Sequence, residues 1–290
     1  FPAKDLVKLV LDVSADCLLI PAHAWTPWFS LFGSNSGFDS IEECFEEESA
    51  NIHAIETGLS SDPAMNWRLS ALDRITLVSN SDAHSPRKIA REANVLNCAP
   101  TYNDVVDSLK SRDPEKFLFT IEFFPEEGKY HYDGHRKCGV RWSPSETKKH
   151  QGRCPVCGAG VTVGVMHRVN DLADREEGYV PQRPVPAKHL IPLEEILADA
   201  LKVKPGTKTV NREYARLTGL LGPELEILLD VGEEELKKVC PPRVSEGILK
   251  VRREEVQVEP GYDRVYGKIS LTASAARPQP QATPDQLELL

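Results

Sequence analysis

The stretch ITLVSNSDAHSPRKIAREANV, residues 75–95, decides how the first part of this chain folds. Four apolar or β-branched residues give a short buried strand, and Ser-Asn-Ser ends it. Asp82-x-His84 follows at once, then Ser85-Pro86, the pairing expected of a helix N-cap and first helical residue. A carboxylate and an imidazole therefore sit together where a strand stops and a basic helix is expected to begin.

Working outward, the same arrangement recurs. CLLIPAH, residues 17–23, is an apolar run ending on His23, and NIHAIET, residues 51–57, carries Glu56 at its end. Helical patterns at 4–13, from 40 and at 102–111 separate these runs from each other and from KFLFTIEFF, residues 116–124. Alternation of strand and helix implies an α/β fold with parallel strands and crossovers, either an open sheet or a barrel. In such a fold the carboxyl ends of the strands share one face, so His23, Glu56, Asp82 and His84 are expected to meet there. Imidazole with carboxylate suits Zn²⁺, Mn²⁺ or Fe²⁺, and several ions in one cluster can hold a phosphate while activating water. A lone His or Glu at a strand end is more often a hydrogen-bonded structural residue; three such ends in succession favour metal. His53, three positions before Glu56, is expected to face away from it.

The chain has 290 residues, room for two or three domains, and a formal charge of −9, which excludes coating nucleic acid through bulk charge. It begins with Phe1 and runs directly into a helical pattern, as expected of a fragment. It contains no apolar run near the length of a membrane span, so a soluble, cytoplasmic protein is expected. Seven cysteines with one Cys-x-x-Cys favour metal over a disulfide framework. Cys154 and Cys157 form that pair and Cys138 precedes it; His135 is the expected fourth ligand of a structural zinc, with His131 and His167 as alternatives. A redox Cys-x-x-Cys is the competing account. Cys17, Cys44, Cys98 and Cys240 read as ordinary buried thiols.

Around these ligands, residues 129–153 hold seven basic side chains against Asp133 and Glu146, a local balance of +5. Arg136, Lys137, Lys148 and Lys149 are expected to make this patch a holder of duplex phosphates; a solvated basic loop is the plainer alternative. The loop after His23 packs Trp25, Trp28, Phe29 and Phe32 among glycines and serines. Trp25, Trp28 and Phe29 are expected base contacts, against the alternative of a hydrophobic lid. Arg87, Lys88 and Arg91, on the helix expected from Pro86, are further phosphate candidates. Beyond a proline-rich linker at 179–192, helical patterns run to residue 239, and 231–249 is faintly like a helix-hairpin-helix unit, with Pro241-Pro242 where a glycine turn belongs. Residues 247–271 read as two strands about a Pro-Gly turn, and 272–290 as an unstructured tail.

IPAHAWTPWFSLFGSNSGFDS (20–40), AIETGLSSDPAMNWRLSALDRITLVSNSDAHSPRKIAREANV (54–95) and YHYDGHRKCGV…CPVCG…VMHRV together resemble endonuclease Q, a DNA-repair nuclease family of the polymerase and histidinol phosphatase (PHP) superfamily. The resemblance implies an incomplete, distorted βα barrel of PHP type over 1–125, a zinc module over 126–170 and a mainly helical region over 171–271. It implies metal-dependent nicking of DNA on the 5′ side of deaminated bases or abasic sites. His23, Glu56, Asp82 and His84 match the family's ligand motifs, with Asp82 and His84 catalytic, served by Zn²⁺, Mn²⁺ or Mg²⁺ and one structural Zn²⁺. Damaged DNA is the implied partner, a sliding clamp a further one, and no membrane is involved. Such enzymes open with a His-x-His strand, which does not occur here, so an incomplete cluster with little activity on its own is expected. The rival readings are a small-molecule phosphatase of the same superfamily and a non-catalytic DNA-binding fragment. No Gly-x-x-x-x-Gly-Lys-[Ser/Thr] loop supports a helicase.

Overall fold

The structure, a computed structural model, describes residues 1–271, so the tail expected at 272–290 lies outside the described residues. Helix α1 (Ala3–Val13) buries Val7 against α2 (Ile41–Phe45) and the turn that follows it. Ser40 caps α2 by accepting the Glu43 N–H at 3.0 Å. Strand β1 (Ala54–Glu56) is wholly buried. Asp62 and Pro63 then start α3 (Pro63–Asn66), the Asp62 carboxylate accepting the Met65 N–H. Strand β2 (Thr76–Val78) lies parallel to β1, with Glu56 opposite Val78.

Residues 17–23 run extended but are not a regular strand. The Glu56 N–H donates to Pro21 and the Glu56 carbonyl accepts from Ala24. A regular parallel ladder would join Glu56 to residues two apart, and here they are three apart. The additional residue is His23, which adopts a left-handed φ of 48° and so acts as a bulge at the strand's end.

The helix expected from Pro86 is absent. Pro86–Lys88 makes one 3-10 turn, Ser85 gives no side-chain cap, and the chain turns at Ala90 (φ 63°) into strand β3 (Ala93–Leu96). Tertiary pairing overrides the local pattern: after α4 (Tyr102–Ser111), β3 pairs antiparallel with β4 (Phe117–Glu122), and the Asn94 side chain bonds the Ser79 backbone. The fold is therefore mixed α/β rather than wholly parallel. The two sheets are joined through Ser79, whose hydroxyl donates to the Ile121 carbonyl at 2.7 Å.

The next segment forms the antiparallel pair β5 (Asp133–His135) and β6 (Val140–Trp142), then α5 (Pro144–Lys149), capped by a reciprocal Ser143–Glu146 box, and α6 (Val165–Leu172). Val165 and Val169 of α6 enter the same core as Val7, Trp25 and Ile55, which ties this segment to the first unit. Strand β7 (Ala187–His189) joins β4 in parallel. Helices α7 (Leu193–Leu201), α8 (Lys208–Leu221), α9 (Glu224–Leu229), α10 (Glu233–Val239) and α11 (Pro242–Arg252) bury Ile196, Leu217, Leu236 and Ile248 in a second core that includes Ile121. Residues 247–252, read as strand, are the end of α11. The final pair, β8 (Gln257–Glu259) and β9 (Lys268–Ser270), is antiparallel and docks on the segment around β5, where Asp263 accepts from the Arg136 N–H and the Thr162 hydroxyl. Among the described residues no helix is long and apolar enough to cross a membrane.

Candidate metal corner and zinc site

The strand ends bring His23, Glu56 and Asp82 together. His23 Nδ1 lies 3.5 Å from Glu56 Oε2, and His23 Nε2 lies 3.6 Å from Asp82 Oδ2. Glu56 is 6 % exposed and is fixed by two donors, the His23 N–H at 2.8 Å on Oε2 and Asn80 Nδ2 at 3.0 Å on Oε1. Asp82 has φ 44°, a conformation that non-glycine residues adopt at a cost and that marks functional loops. His84 is highly exposed; its Nδ1 is 2.8 Å from the Asp82 carbonyl and 3.8 Å from Asp82 Oδ1. One imidazole cannot turn both nitrogens to one ion. The His23 ring lies between the two carboxylates, Nδ1 facing Glu56 and Nε2 facing Asp82.

Separations of about 3.5 Å between donor atoms suit two ligands of one cation at roughly 2.1 Å each, so the His23–Asp82 pair fits a divalent ion. His53 stands apart from this corner; its carbonyl accepts the Thr76 N–H. Asn80 and Asn94 were not singled out by sequence, since nothing in a polar Ser-Asn-Ser run marks which amide will brace a carboxylate. Two further buried carboxyls lie behind the corner. The register pairs Ala93 with Ile121, which sets Glu92 opposite Glu122; each is nearly fully buried and keeps one oxygen without a partner. Burial, then the neighbouring Glu122, pushes Glu92 up to about 9.

The aromatic loop divides its rings. Trp25 is 1 % exposed, donates to Asn66 Oδ1 at 2.8 Å and packs on Phe32 at 4.7 Å, so it is a core residue and not the expected base contact. Trp28 is partly exposed and Phe29 is 95 % exposed. The phosphate candidates after Asp82 are already engaged: Arg87 pairs with Glu194 at 2.9 Å, Lys88 with Glu195 at 3.6 Å, and Arg91 Nε donates to the Ser81 carbonyl at 2.8 Å. Lys148 pairs with Asp171 at 3.1 Å. For Arg136, Lys137 and Lys149 no ion pair occurs among the described residues.

His135, Cys138, Cys154 and Cys157 place one donor atom each within 4.8 Å of one another. A tetrahedral zinc with bonds near 2.3 Å has its sulfurs roughly 3.8 Å apart, so this set fits a structural ion. The knuckle is built by backbone bonds: Cys154 N–H donates to Ala159 O and Gly158 N–H to Cys154 O. Burial acts to raise the Cys154 thiol, but the backbone N–H groups of Cys157 and Val156 together with His135 bring it down to about 6, toward the ligating thiolate. The structure chooses His135 over its alternatives. His131 is buried elsewhere, and His167 Nδ1 binds Asp133 Oδ2 at 2.5 Å, which holds α6 to β5.

Comparison with known proteins agrees with this geometry. Residues 192–255 match the family described as the MJ0043 C-terminal domain. The chain is 32 % identical over 256 residues to MJ0043 of Methanocaldococcus jannaschii, covering 86 % of this chain and 31 % of that protein. It is 34 % identical over 267 residues to YqxK of Bacillus subtilis, covering 91 % of this chain and 63 % of that one. Among solved structures, the lesion-specific endonuclease PfuEndoQ from Pyrococcus furiosus superposes with a TM-score of 0.83 at 29 % identity, over 93 % of this chain and 66 % of its own. A structure of endonuclease Q with a 27-mer duplex bearing an abasic lesion at the active site gives a TM-score of 0.80 at 29 % identity, over 94 % of this chain and 67 % of that one.

In fold and sequence the chain is thus similar to lesion-specific DNA endonucleases. The resemblance is to endonuclease Q, over more than nine tenths of this chain. The chain spans about a third and somewhat under two thirds of the two curated relatives it matches.

Proposed function

We propose that this chain is part of a metal-dependent endonuclease that nicks DNA on the 5′ side of deaminated bases or abasic sites, with residues 1–125 contributing to a PHP-type barrel. The observation that carries the reading is the contact of His23 with both Glu56 and Asp82 at one rim. Four residues, His23, Glu56, Asp82 and His84, are the proposed active-site set. A divalent ion at His23 and Asp82 would supply Lewis-acid polarisation of the scissile phosphate.

The chain's own groups have distinct tasks. Glu56, buried and doubly hydrogen-bonded, anchors the backbone of His23 and faces its ring. Asp82, partly open to solvent, has an oxygen free to accept a proton from the attacking water and hold it in line. His84, exposed beside it, is placed to donate to a phosphate or leaving oxygen. The Cys/His set would keep the basic surface of Arg136, Lys137 and Lys149 rigid against the duplex backbone, a role that Lys148 shares only by leaving Asp171.

The test is nicking of labelled duplexes carrying uracil, hypoxanthine or an abasic site in Mn²⁺, Mg²⁺ or Zn²⁺. Asp82→Asn should abolish nicking and leave duplex binding intact. Lesion duplexes left whole by the unchanged full-length protein, or nicked equally by the variant, would overturn the proposal.

A further inference from the structure

We infer that a strip of aromatic and basic side chains, assembled from three separate chain segments, is a platform for unpaired nucleotides of a DNA strand; this rests on the reading of the chain as a DNA-handling protein. Trp28 packs edge-on against Tyr130, with ring centroids 5.3 Å apart. Lys129 Nζ lies 5.6 Å from the centre of the Tyr130 ring and 6.0 Å from that of Tyr266. Phe29 follows Trp28 directly in the chain and is almost fully exposed, and the Arg264 N–H donates to the Lys129 carbonyl at 2.8 Å. These residues come from the loop after His23, the segment leading into β5, and the turn between β8 and β9.

The strip is built and not incidental. Phe29 is 95 % and Tyr266 71 % exposed, so both rings offer their faces to solvent. Both flanking loops are tied by hydrogen bonds. The Phe29 N–H is held by Ser36 Oγ at 2.9 Å, Thr26 Oγ1 donates to the Trp28 carbonyl, and a Cβ on Gly37 would collide with the Gly33 backbone. In the other loop Tyr262 and Val265 exchange two backbone hydrogen bonds across Asp263 and Arg264. Phe29 (φ 58°), Asp263 (φ 37°) and Arg264 (φ 71°) all sit in the left-handed region without being glycine, strain that the scaffold maintains at the two places where rings and charge are displayed.

The partner follows from chemistry. Lys129 and Arg264 form no ion pair among the described residues, so their charges are available to phosphates, in a protein whose other lysines and arginines are often matched to carboxylates. Exposed rings interleaved with cations bind single strands, because each unpaired base offers a free π-face; in an intact duplex those faces are covered by neighbouring base pairs. The first ring of the strip, Trp28, lies five residues beyond His23 in the chain.

The experiment measures binding of the 290-residue chain to single-stranded oligothymidylate and to a fully paired duplex of equal length. Tyr266→Ala and Phe29→Ala should each weaken single-strand binding by about 5-fold or more and duplex binding by less than about 2-fold. Tyr266→Phe should behave as the unchanged chain. Lys129→Ala should lower the salt dependence of single-strand binding by about one phosphate contact. No measurable binding of oligothymidylate, or equal losses on both probes, overturns the platform. Nicking of lesion duplexes is scored separately: ring-dependent binding without any nicking defeats only the nuclease reading, and nicking with ring-independent binding defeats only the platform.

Discussion

His189 Nε2 lies 3.2 Å from Asp62 Oδ2 while its Nδ1 lies 2.9 Å from Glu254 Oε1, so one imidazole of β7 clasps the cap of α3 to the chain just beyond α11. Burial alone would lower its pKa; the two carboxylates outweigh burial and raise it to about 10 from an ordinary 6.5. A raised basic group stabilises the fold fully below its unfolded value, and that contribution fades as pH climbs from about 6.5 toward 10. His189→Ala should therefore cost roughly 3–5 kcal/mol near pH 6, from leaving Asp62 buried and unpaired. Denaturant melts of both proteins across pH 6–10 should show the gap closing at the alkaline end.

Glu92 has the opposite consequence for stability. Its pKa of about 9 lies far above an ordinary 4.5, because of burial and then Glu122. The folded state keeps a proton that the unfolded state releases, so this side chain costs stability as pH rises between about 4.5 and 9. Glu92→Gln, which cannot ionise, should be more stable than the parent at pH 8, and by pH 5 the ionisation term should have shrunk to about 1 kcal/mol or less. Melting temperatures at the two pH values check this.

Trp25 and Phe29 are four residues apart, yet their substitution should have unlike effects. Trp25→Ala should cost about 3–5 kcal/mol by opening the core beside Phe32. Phe29→Ala should stay within roughly ±0.5 kcal/mol. Thermal unfolding of the two variants separates a core ring from a displayed one.

Glu194 occupies Arg87 across the gap between the turn after His84 and α7. As a largely exposed pair it should contribute only about 0.2–1 kcal/mol, so Glu194→Gln should fold normally. Freed Arg87 should then strengthen duplex binding and steepen its salt dependence by about one contact. Titrations at two salt concentrations test this.

Removal of zinc should unfold the segment around β5 and β6 while leaving the first core standing. One zinc per chain is expected by elemental analysis, and Cys154→Ser should reduce it strongly. Chelator treatment should expose the amides of 133–160 to hydrogen exchange before those of β1 and β2.

Much of the corner was legible because each ligand type stood at the end of an apolar run, and strand ends of parallel segments converge. Cys138, Cys154 and Cys157 were legible through short spacing, and His135 through its two-residue spacing from Cys138; the structure groups it with the three cysteines, while His167 is held by Asp133. The helix expected at Pro86 failed because the local signal of Ser-Pro and basic residues competes with strand pairing to β4, and sheet partners 21 to 28 residues away leave no mark on the local pattern. Trp25 failed for a similar reason. Four aromatics in one loop reveal that some are buried, but which ones depends on Asn66 and the surrounding core.

The sequence by itself determined the inventory of this protein: apolar runs, strand-end donors, a cysteine knuckle and a basic stretch, all local properties of spacing and residue type. Tertiary structure alone decided which donors face which atoms, that Arg87 and Lys88 are matched by Glu194 and Glu195, and that Trp28, Lys129, Tyr130 and Tyr266 form one surface. Those are contacts between residues up to 137 positions apart, from Lys129 to Tyr266, and they exist only after burial and sheet pairing have fixed the backbone.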